Sequence, residues 1–176
     1  MKTLPMKFVL NSSYKNMTLR ERYDNMVKID TLLGKTLIGV YGAEKRSDKI
    51  YFVCSDGSVY LMYHERDCCE CVDVEDIVGN IEDLINTPLL KAEEVSISSD
   101  DSSDDSYTWT YYHLNTVKGY VTIRWYGESN GYYSESVDLI ELCPPFDSDC
   151  TIDDVRHKIV KNDNEKIKRR LKGELI

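Results

Sequence analysis

The sequence has no long apolar run, which limits the classes of protein that it can encode. No stretch of its 176 residues approaches the roughly 20 consecutive apolar residues that a membrane-spanning helix needs. The short apolar run near the N-terminus is interrupted by Pro5 and Lys7, and it does not look like a secretion signal followed by a cleavage site. We therefore expect a cytoplasmic protein that does not bind a membrane.

The sequence also lacks the short motifs that bring catalytic groups together. It contains no phosphate-binding loop, no dinucleotide-binding fingerprint and no nucleophile elbow. His64 and Glu65 begin a string that lacks the second histidine of the HExxH metalloprotease motif. His113 or His157 could pair with a cysteine nucleophile, but no spacing favours such a pair. These absences predict a protein that is not an enzyme and acts by binding.

Positive charge is scarce in the middle of the chain. The formal net charge is −9. Between residues 64 and 105, fourteen Asp and Glu stand against only Arg66 and Lys91, a local balance of −12. Residues 151–176 carry eight Lys and Arg against five Asp and Glu. Because a concentrated negative field repels nucleic acid and attracts basic surfaces, we expect a protein partner with a basic surface and no direct nucleic-acid binding.

Phenylalanine is scarce as well, with three residues, whereas there are thirteen tyrosines. Tyrosine combines a large apolar face with a polar tip, and it is typical of half-buried sheet faces and of protein interfaces. Runs of β-branched and aromatic residues predict strands over residues 36–41, 49–54, 58–63, 88–97, 107–114, 118–126 and 132–142. Ser55-Asp56-Gly57 predicts a hairpin between the second and third of these, and the last three are expected to form an antiparallel meander.

Capping patterns predict helices on both sides of these strands. Thr18 and Glu21 form a capping box, followed by apolar residues at helical spacing, which predicts a helix over residues 19–33 that ends at Gly34. Similar signals predict a short helix at residues 80–85 and a C-terminal helix from residue 151. The expected fold is α+β, a mostly antiparallel sheet of about six strands with N- and C-terminal helices.

The expected domain organisation has three parts. Residues 1–35 form an N-terminal helical extension, residues 36–142 form an antiparallel-sheet domain that contains zinc, and residues 143–176 form a C-terminal helical tail. The polar run at residues 98–106 consists entirely of Ser and Asp, which cannot bury apolar surface. We expect this run to be a mobile acidic loop of the middle domain.

Reactive side chains are concentrated at residues 64–71. His64, Cys68, Cys69 and Cys71 fall within eight residues, and zinc is typically held by four such nitrogen and sulfur ligands in a tetrahedron. Without a secretion signal, clustered cysteines favour metal sites or free thiols over disulfides.

Adjacent residues usually point apart, which makes Cys69 an awkward ligand, and Cys54, Cys143 or one of the flanking carboxylates could replace it as the fourth. The alternative is that some of these cysteines are small buried hydrophobic residues. We take His64, Cys68, Cys69 and Cys71 as the candidate zinc ligands.

Within residues 36–142, blocks of sequence that begin at Tyr63, Val74, Ala92, Ser106, Val121 and Ser129 carry a resemblance to known proteins. These blocks resemble a family of phage and prophage proteins of uncharacterised biochemistry. Within that setting the chain looks like the anti-CRISPR proteins of streptococcal phages that inhibit a type II-A effector nuclease, at least one of which holds zinc. Cys71 departs from the family pattern, in which a small polar residue is usual, and this weakens it as a ligand.

The resemblance implies a stoichiometric inhibitor that acts in the cytoplasm of the bacterial host. Such a protein would bind a type II CRISPR effector nuclease, which holds its nucleic acids in a positively charged channel, and would block loading or cleavage of target DNA. The alternative is a phage accessory protein with a structural zinc site that binds another host or phage protein.

Overall fold

A computed structural model describes residues 17–99 and 105–143, and these residues form two four-stranded antiparallel sheets. Sheet 1 has the strand order β1-β2-β3-β8 and sheet 2 the order β4-β7-β6-β5. The strands are β1 (Leu37–Tyr41), β2 (Lys49–Cys54), β3 (Val59–Tyr63), β4 (Glu70–Val78), β5 (Lys91–Ser98), β6 (Ser106–Asn115), β7 (Tyr120–Ser129) and β8 (Asp138–Cys143).

Helical structure in the described residues is limited to three short elements. They are the α-helix α1 (Leu19–Asp24) and the 3-10 helices η1 (Ile29–Leu32) and η2 (Ile81–Leu84). The predicted capping box at α1 is confirmed, since the Thr18 side chain accepts from the Glu21 amide and the Glu21 carboxylate accepts from the Thr18 amide. Asn80 likewise caps η2. Within residues 17–99 and 105–143, no helix is long and apolar enough to cross a membrane.

The core lies between the two sheets. One continuous cluster of buried side chains joins the inner faces of both sheets, with Phe52 and Met62 from sheet 1 and Tyr112, Ile123 and Trp125 from sheet 2 among its members. Alternation of buried and exposed residues along β6 and β7 shows that sheet 2 has one covered and one open face. β3 differs, because all five of its residues are buried.

The α+β prediction is wrong, since the fold is mostly β and its strands form two sheets. The hairpin of β2 and β3 is confirmed, with Gly57 in its turn at φ 85°. The predicted meander fails at its third strand, however. β8 begins only at Asp138 and pairs with β3 instead of β7, with Leu61 opposite Ile140. A segment of residues 130–137, named here the strap, carries the chain from sheet 2 back to sheet 1.

The predicted helix over residues 19–33 is also wrong in its length. After Asp24 the backbone turns into an extended path, where Met26 forms a bridge with Ile140 and the Val27 amide donates to the Leu139 carbonyl at 2.9 Å. Pairing with the edge of β8 thus replaces the helical hydrogen bonds. The predicted C-terminal helix and most of the predicted acidic loop lie outside the described residues.

Candidate functional site

A loop of residues 64–69, named here the thiol loop, joins β3 of sheet 1 to β4 of sheet 2. Its first residue, His64, is 7% exposed, and its Nδ1 lies 2.8 Å from the Ser136 carbonyl oxygen of the strap. Its Nε2 faces Glu70 Oε1 at 3.6 Å, which is beyond hydrogen-bond distance. The loop begins with an anchored imidazole whose second nitrogen has no hydrogen-bond partner among the described residues.

The three cysteines of the cluster are exposed and lie apart from this imidazole. The Cys68 and Cys69 sulfur atoms lie 3.1 Å apart, and the hydrogen bond between the two thiols raises the pKa of Cys69. Together with Cys71, which begins the outer face of β4, they line a surface cavity of about 500 Å³. His64 lines a different cavity, beside α1. The structure therefore brings the thiols to one opening and places the imidazole at another.

The Glu70 carboxylate organises the thiol loop from within. Its side chain is 1% exposed, and it accepts from the backbone amides of Asp67 and Cys68, the latter at 3.1 Å. Burial acts to raise the pKa of Glu70. The hydrogen bonds from the two backbone amides, together with the nearby His64 ring, outweigh burial, so that the pKa of Glu70 falls below its usual value. An ionised carboxylate thus holds the backbone that carries the thiols.

Cys54 and Cys143, the two cysteines considered as a replacement fourth ligand, lie at the far end of sheet 1 from the thiol loop. Cys54 is 0% exposed at the end of β2, and Cys143 is paired in register with Val59, the first residue of β3. His64 follows the last residue of β3. Since a strand rises about 3.3 Å per residue, five residues separate the two ends by roughly 15 Å. Cys54 is therefore not placed to complete a site with the thiol loop, and the backbone of Cys143 lies at the same distant end of β3.

The donors of the predicted zinc site do not converge in this geometry. Over residues 17–99 and 105–143, no group of three or more His, Cys, Asp or Glu side chains is arranged to hold a metal ion. Zinc binding by His64, Cys68, Cys69 and Cys71 stays a prediction, and elemental analysis of protein purified without chelator tests it.

Thiol reactivity should distinguish the exposed Cys68 and Cys71 from the buried Cys54. Burial raises the pKa of Cys54, and its reaction requires opening of the core, so we expect its alkylation to be at least about 100-fold slower than that of Cys68 or Cys71. Timed iodoacetamide labelling at pH 8, read by peptide mass spectrometry, measures each rate. Equal labelling of Cys54 and Cys71 in the folded protein would contradict the burial described here.

The outer face of sheet 2 carries the largest group of aromatic side chains that the core does not use. Alternate residues of β6 place Tyr107, Trp109, Tyr111 and His113 on this face, where Tyr126 of β7 joins them; these five residues are named here the aromatic stripe. Consecutive rings lie 4.9 to 6.4 Å apart between centroids, from Tyr107 through Tyr126, Trp109 and Tyr111 to His113. The strand pairing therefore builds one continuous aromatic surface.

Exposed apolar side chains of β5 widen the aromatic stripe. Val95 lies opposite Tyr111 and is 45% exposed, and Ile97 lies opposite Trp109 and is 56% exposed. Contiguous exposed apolar surface of this kind marks interaction sites more often than scattered apolar residues do. Sequence reasoning missed this surface, although the aromatic residues at every second position of β6 were a detectable signal.

Charged residues border the aromatic stripe, and most of them are acidic. Asp73 and Asp76 of β4, Glu128 of β7 and Glu93 of β5 share its face with two cations. Those cations are engaged, since Arg124 forms a two-point ion pair with Asp76, and Lys91 lies 2.8 Å from Glu93. Burial, with the neighbouring Glu75, raises the pKa of Asp73. The border is acidic on balance.

Comparison with known protein families identifies the family of this chain. A family model described as a domain of unknown function, DUF7448, matches residues 30–139. The chain belongs to the DUF7448 family. The matched part of the DUF7448 domain includes the thiol loop and the aromatic stripe, and it begins after α1. Comparison with curated proteins and with solved structures found no match.

Proposed function

We propose that this protein is a non-enzymatic binding protein that uses the aromatic stripe to dock on a basic protein surface. The continuous, partly exposed aromatic surface on the open face of sheet 2 supports this proposal most directly. Tyr and Trp are enriched among the residues that dominate binding energy, because they bury a large area with few rotatable bonds.

The acidic border supports a basic protein as the partner. An aromatic sheet face could also stack the bases of single-stranded nucleic acid, but such sites combine their aromatic residues with a positively charged groove. Here four carboxylates stand against Lys91 and Arg124, and both cations are engaged by carboxylates. The same charges accelerate association with a basic surface, with a rate that falls as salt rises.

The resemblance to anti-CRISPR proteins supplies a specific partner for this surface. We propose a type II CRISPR effector nuclease, whose guide and target channel is positively charged. Occupying part of that surface would hinder loading or cleavage of target DNA without chemical change to nuclease or guide. The site of action is then the cytoplasm of the bacterial host.

Titration of this protein into a cleavage assay with purified nuclease, guide and target tests the proposal. We expect cleavage to be suppressed at near-stoichiometric ratio, with guide and nuclease recovered unchanged in mass. Raising the salt concentration should slow association more than it speeds dissociation, because the charges act mainly by steering. Full cleavage by several type II nucleases at about tenfold molar excess of this protein would contradict the inhibitor proposal. That result would favour an accessory protein that binds another partner.

A further inference from the structure

A polar groove opens on the inner face of sheet 2, where sheet 1 does not extend over the end of β5 and β6. Its volume is about 390 Å³, which falls within the range of small-ligand sites. Its walls are unusually rich in hydroxyl groups, because Ser and Thr occupy successive inner positions of both strands. These include Ser96, Ser98, Thr108 and Thr110, with Tyr133 and Ser136 of the strap on the opposite side.

Glu135 of the strap reaches this groove as a buried carboxylate. It is 9% exposed, and its Oε1 accepts from the Ser129 hydroxyl at 2.8 Å and from the Ser106 hydroxyl. Gly127 of β7 leaves room for Glu135, because a Cβ atom on residue 127 would lie only 2.9 Å from the Glu135 Cβ. Contacts with β6 and β7 thus hold the Glu135 carboxylate against the inner face of sheet 2.

Neutral hydroxyls hold this carboxylate in its charged form. Burial acts to raise the pKa of Glu135, but hydrogen bonds from Ser106, Thr108 and Ser129 outweigh burial, and the pKa falls below its usual value. A buried carboxylate is ordinarily paired with a cation, because removing an unpaired charge from water is unfavourable. Glu135 therefore carries its negative charge into the groove at neutral pH.

Within residues 17–99 and 105–143, no positive charge lies beside this carboxylate to balance it. Among the described residues no Lys, Arg or His nitrogen lies within 4.0 Å of the Glu135 carboxylate, and none of the groove's lining residues is cationic. A second carboxylate, Glu94 of β5, lines the same groove. The groove is an anionic cavity whose remaining polar groups are hydroxyls able to accept further hydrogen bonds.

From this arrangement we propose that the groove is a binding site for an alkylammonium or guanidinium group, with Glu135 as its ionic anchor. An ammonium has three donors and no acceptor, which matches one carboxylate surrounded by hydroxyl oxygens. The ring of Tyr133 in the wall suits the alkyl stem and the charge. The group can come from a Lys or Arg side chain or from a free polyamine. The groove and the aromatic stripe lie on opposite faces of sheet 2 and share Tyr107, whose ring belongs to the stripe and which also lines the groove.

The test uses small mimics of the two cationic groups. Backbone amide shifts of the ¹⁵N-labelled full chain are followed during titration with n-butylammonium, n-butylguanidinium and the neutral n-butanol. We expect both cations to shift Ser96, Ser98 and Thr108 in a saturable way, and n-butanol to leave them unchanged. Spermidine and an end-blocked lysine hexapeptide then separate the two sources, since the natural source should bind more tightly than n-butylammonium.

Substitution of the anchor completes the test. Glu135→Gln keeps the shape and removes the charge, and we expect it to weaken n-butylammonium binding at least about tenfold. Glu44→Gln, which removes the same charge from an exposed position outside the groove, is the matched control and should bind as the natural chain does. Should Glu135→Gln fail to fold, Glu94→Gln, which removes the charge of the exposed second carboxylate of the groove, is compared with Glu44→Gln in its place. Equal binding of n-butanol, or unchanged affinity in a folded Glu135→Gln protein, would overturn the proposal.

Discussion

Replacing Trp109 and Tyr111 together with alanine should weaken binding to the proposed basic partner at least about 100-fold while the protein stays folded. Alanine substitution of a central aromatic residue in an interface commonly costs about 2 kcal/mol or more, and 1.4 kcal/mol corresponds to a tenfold change in affinity. The two rings stack at 6.1 Å between centroids on the open face of sheet 2, so that their removal leaves the buried inner face unchanged. Surface plasmon resonance with the immobilised effector nuclease proposed above as the partner measures the association and dissociation rate constants.

The matched control for this double variant is Tyr23→Ala. Tyr23 is 71% exposed on α1, outside the aromatic stripe, and its loss should leave affinity unchanged. Circular dichroism and thermal unfolding of each variant confirm that the fold persists, because cross-strand pairs on an open face contribute only about 0.2–1 kcal/mol each. Full affinity in a folded double variant would place the binding surface elsewhere on the protein.

Replacing the other tryptophan, Trp125, with alanine should destabilise the fold by about 3–5 kcal/mol. Trp125 is 1% exposed and is the largest fully buried side chain of the described residues, positioned between Thr110 of β6 and Val74 of β4. Its removal leaves a cavity at the centre of sheet 2 that the surrounding strands can close only in part. The midpoint of urea unfolding, followed by circular dichroism, measures the loss.

A phenylalanine at this position provides the informative comparison. The Trp125 Nε1 has no hydrogen-bond partner within the described structure, so Trp125→Phe loses packing but no hydrogen bond. We expect it to cost clearly less than Trp125→Ala. Val117→Ala, at a loop position that is 76% exposed, should change stability by less than about 0.5 kcal/mol. A Trp125→Ala protein as stable as the natural chain would contradict the core described for sheet 2.

Local structure could be predicted from the sequence wherever its cause is local. The capping box of Thr18 and Glu21 and the hairpin turn at Gly57 depend on neighbouring residues, and both are confirmed. Partner choice among strands depends on residues far apart in the chain, which period-two alternation does not encode. For that reason the alternation predicted most strands, whereas the pairing of β3 with β8 and the division into two sheets could not be predicted.

The aromatic stripe was not predicted, for a related reason. A cysteine cluster is visible in one short stretch of sequence, and the sequence therefore predicted a site at residues 64–71, of which the last two begin β4. The aromatic stripe uses alternate residues of β6, but the intervening positions include Tyr112, which is 1% exposed in the core. Because both faces of β6 carry large aromatic residues, composition does not distinguish the buried face from the open one.

The closure of sheet 1 by β8 has a consequence for the order in which the chain folds. β1, β2 and β3 are consecutive, and their hairpins can form as soon as residues 37–63 leave the ribosome. Their fourth strand arrives only after the whole of sheet 2, since the hydrogen bond from Tyr60 to Glu141 spans 81 residues. Sheet 1 therefore keeps an open edge at β3 throughout synthesis of sheet 2. Pairings of such long sequence separation form slowly, in milliseconds to seconds, and the nascent chain is exposed to edge-to-edge association until β8 covers β3.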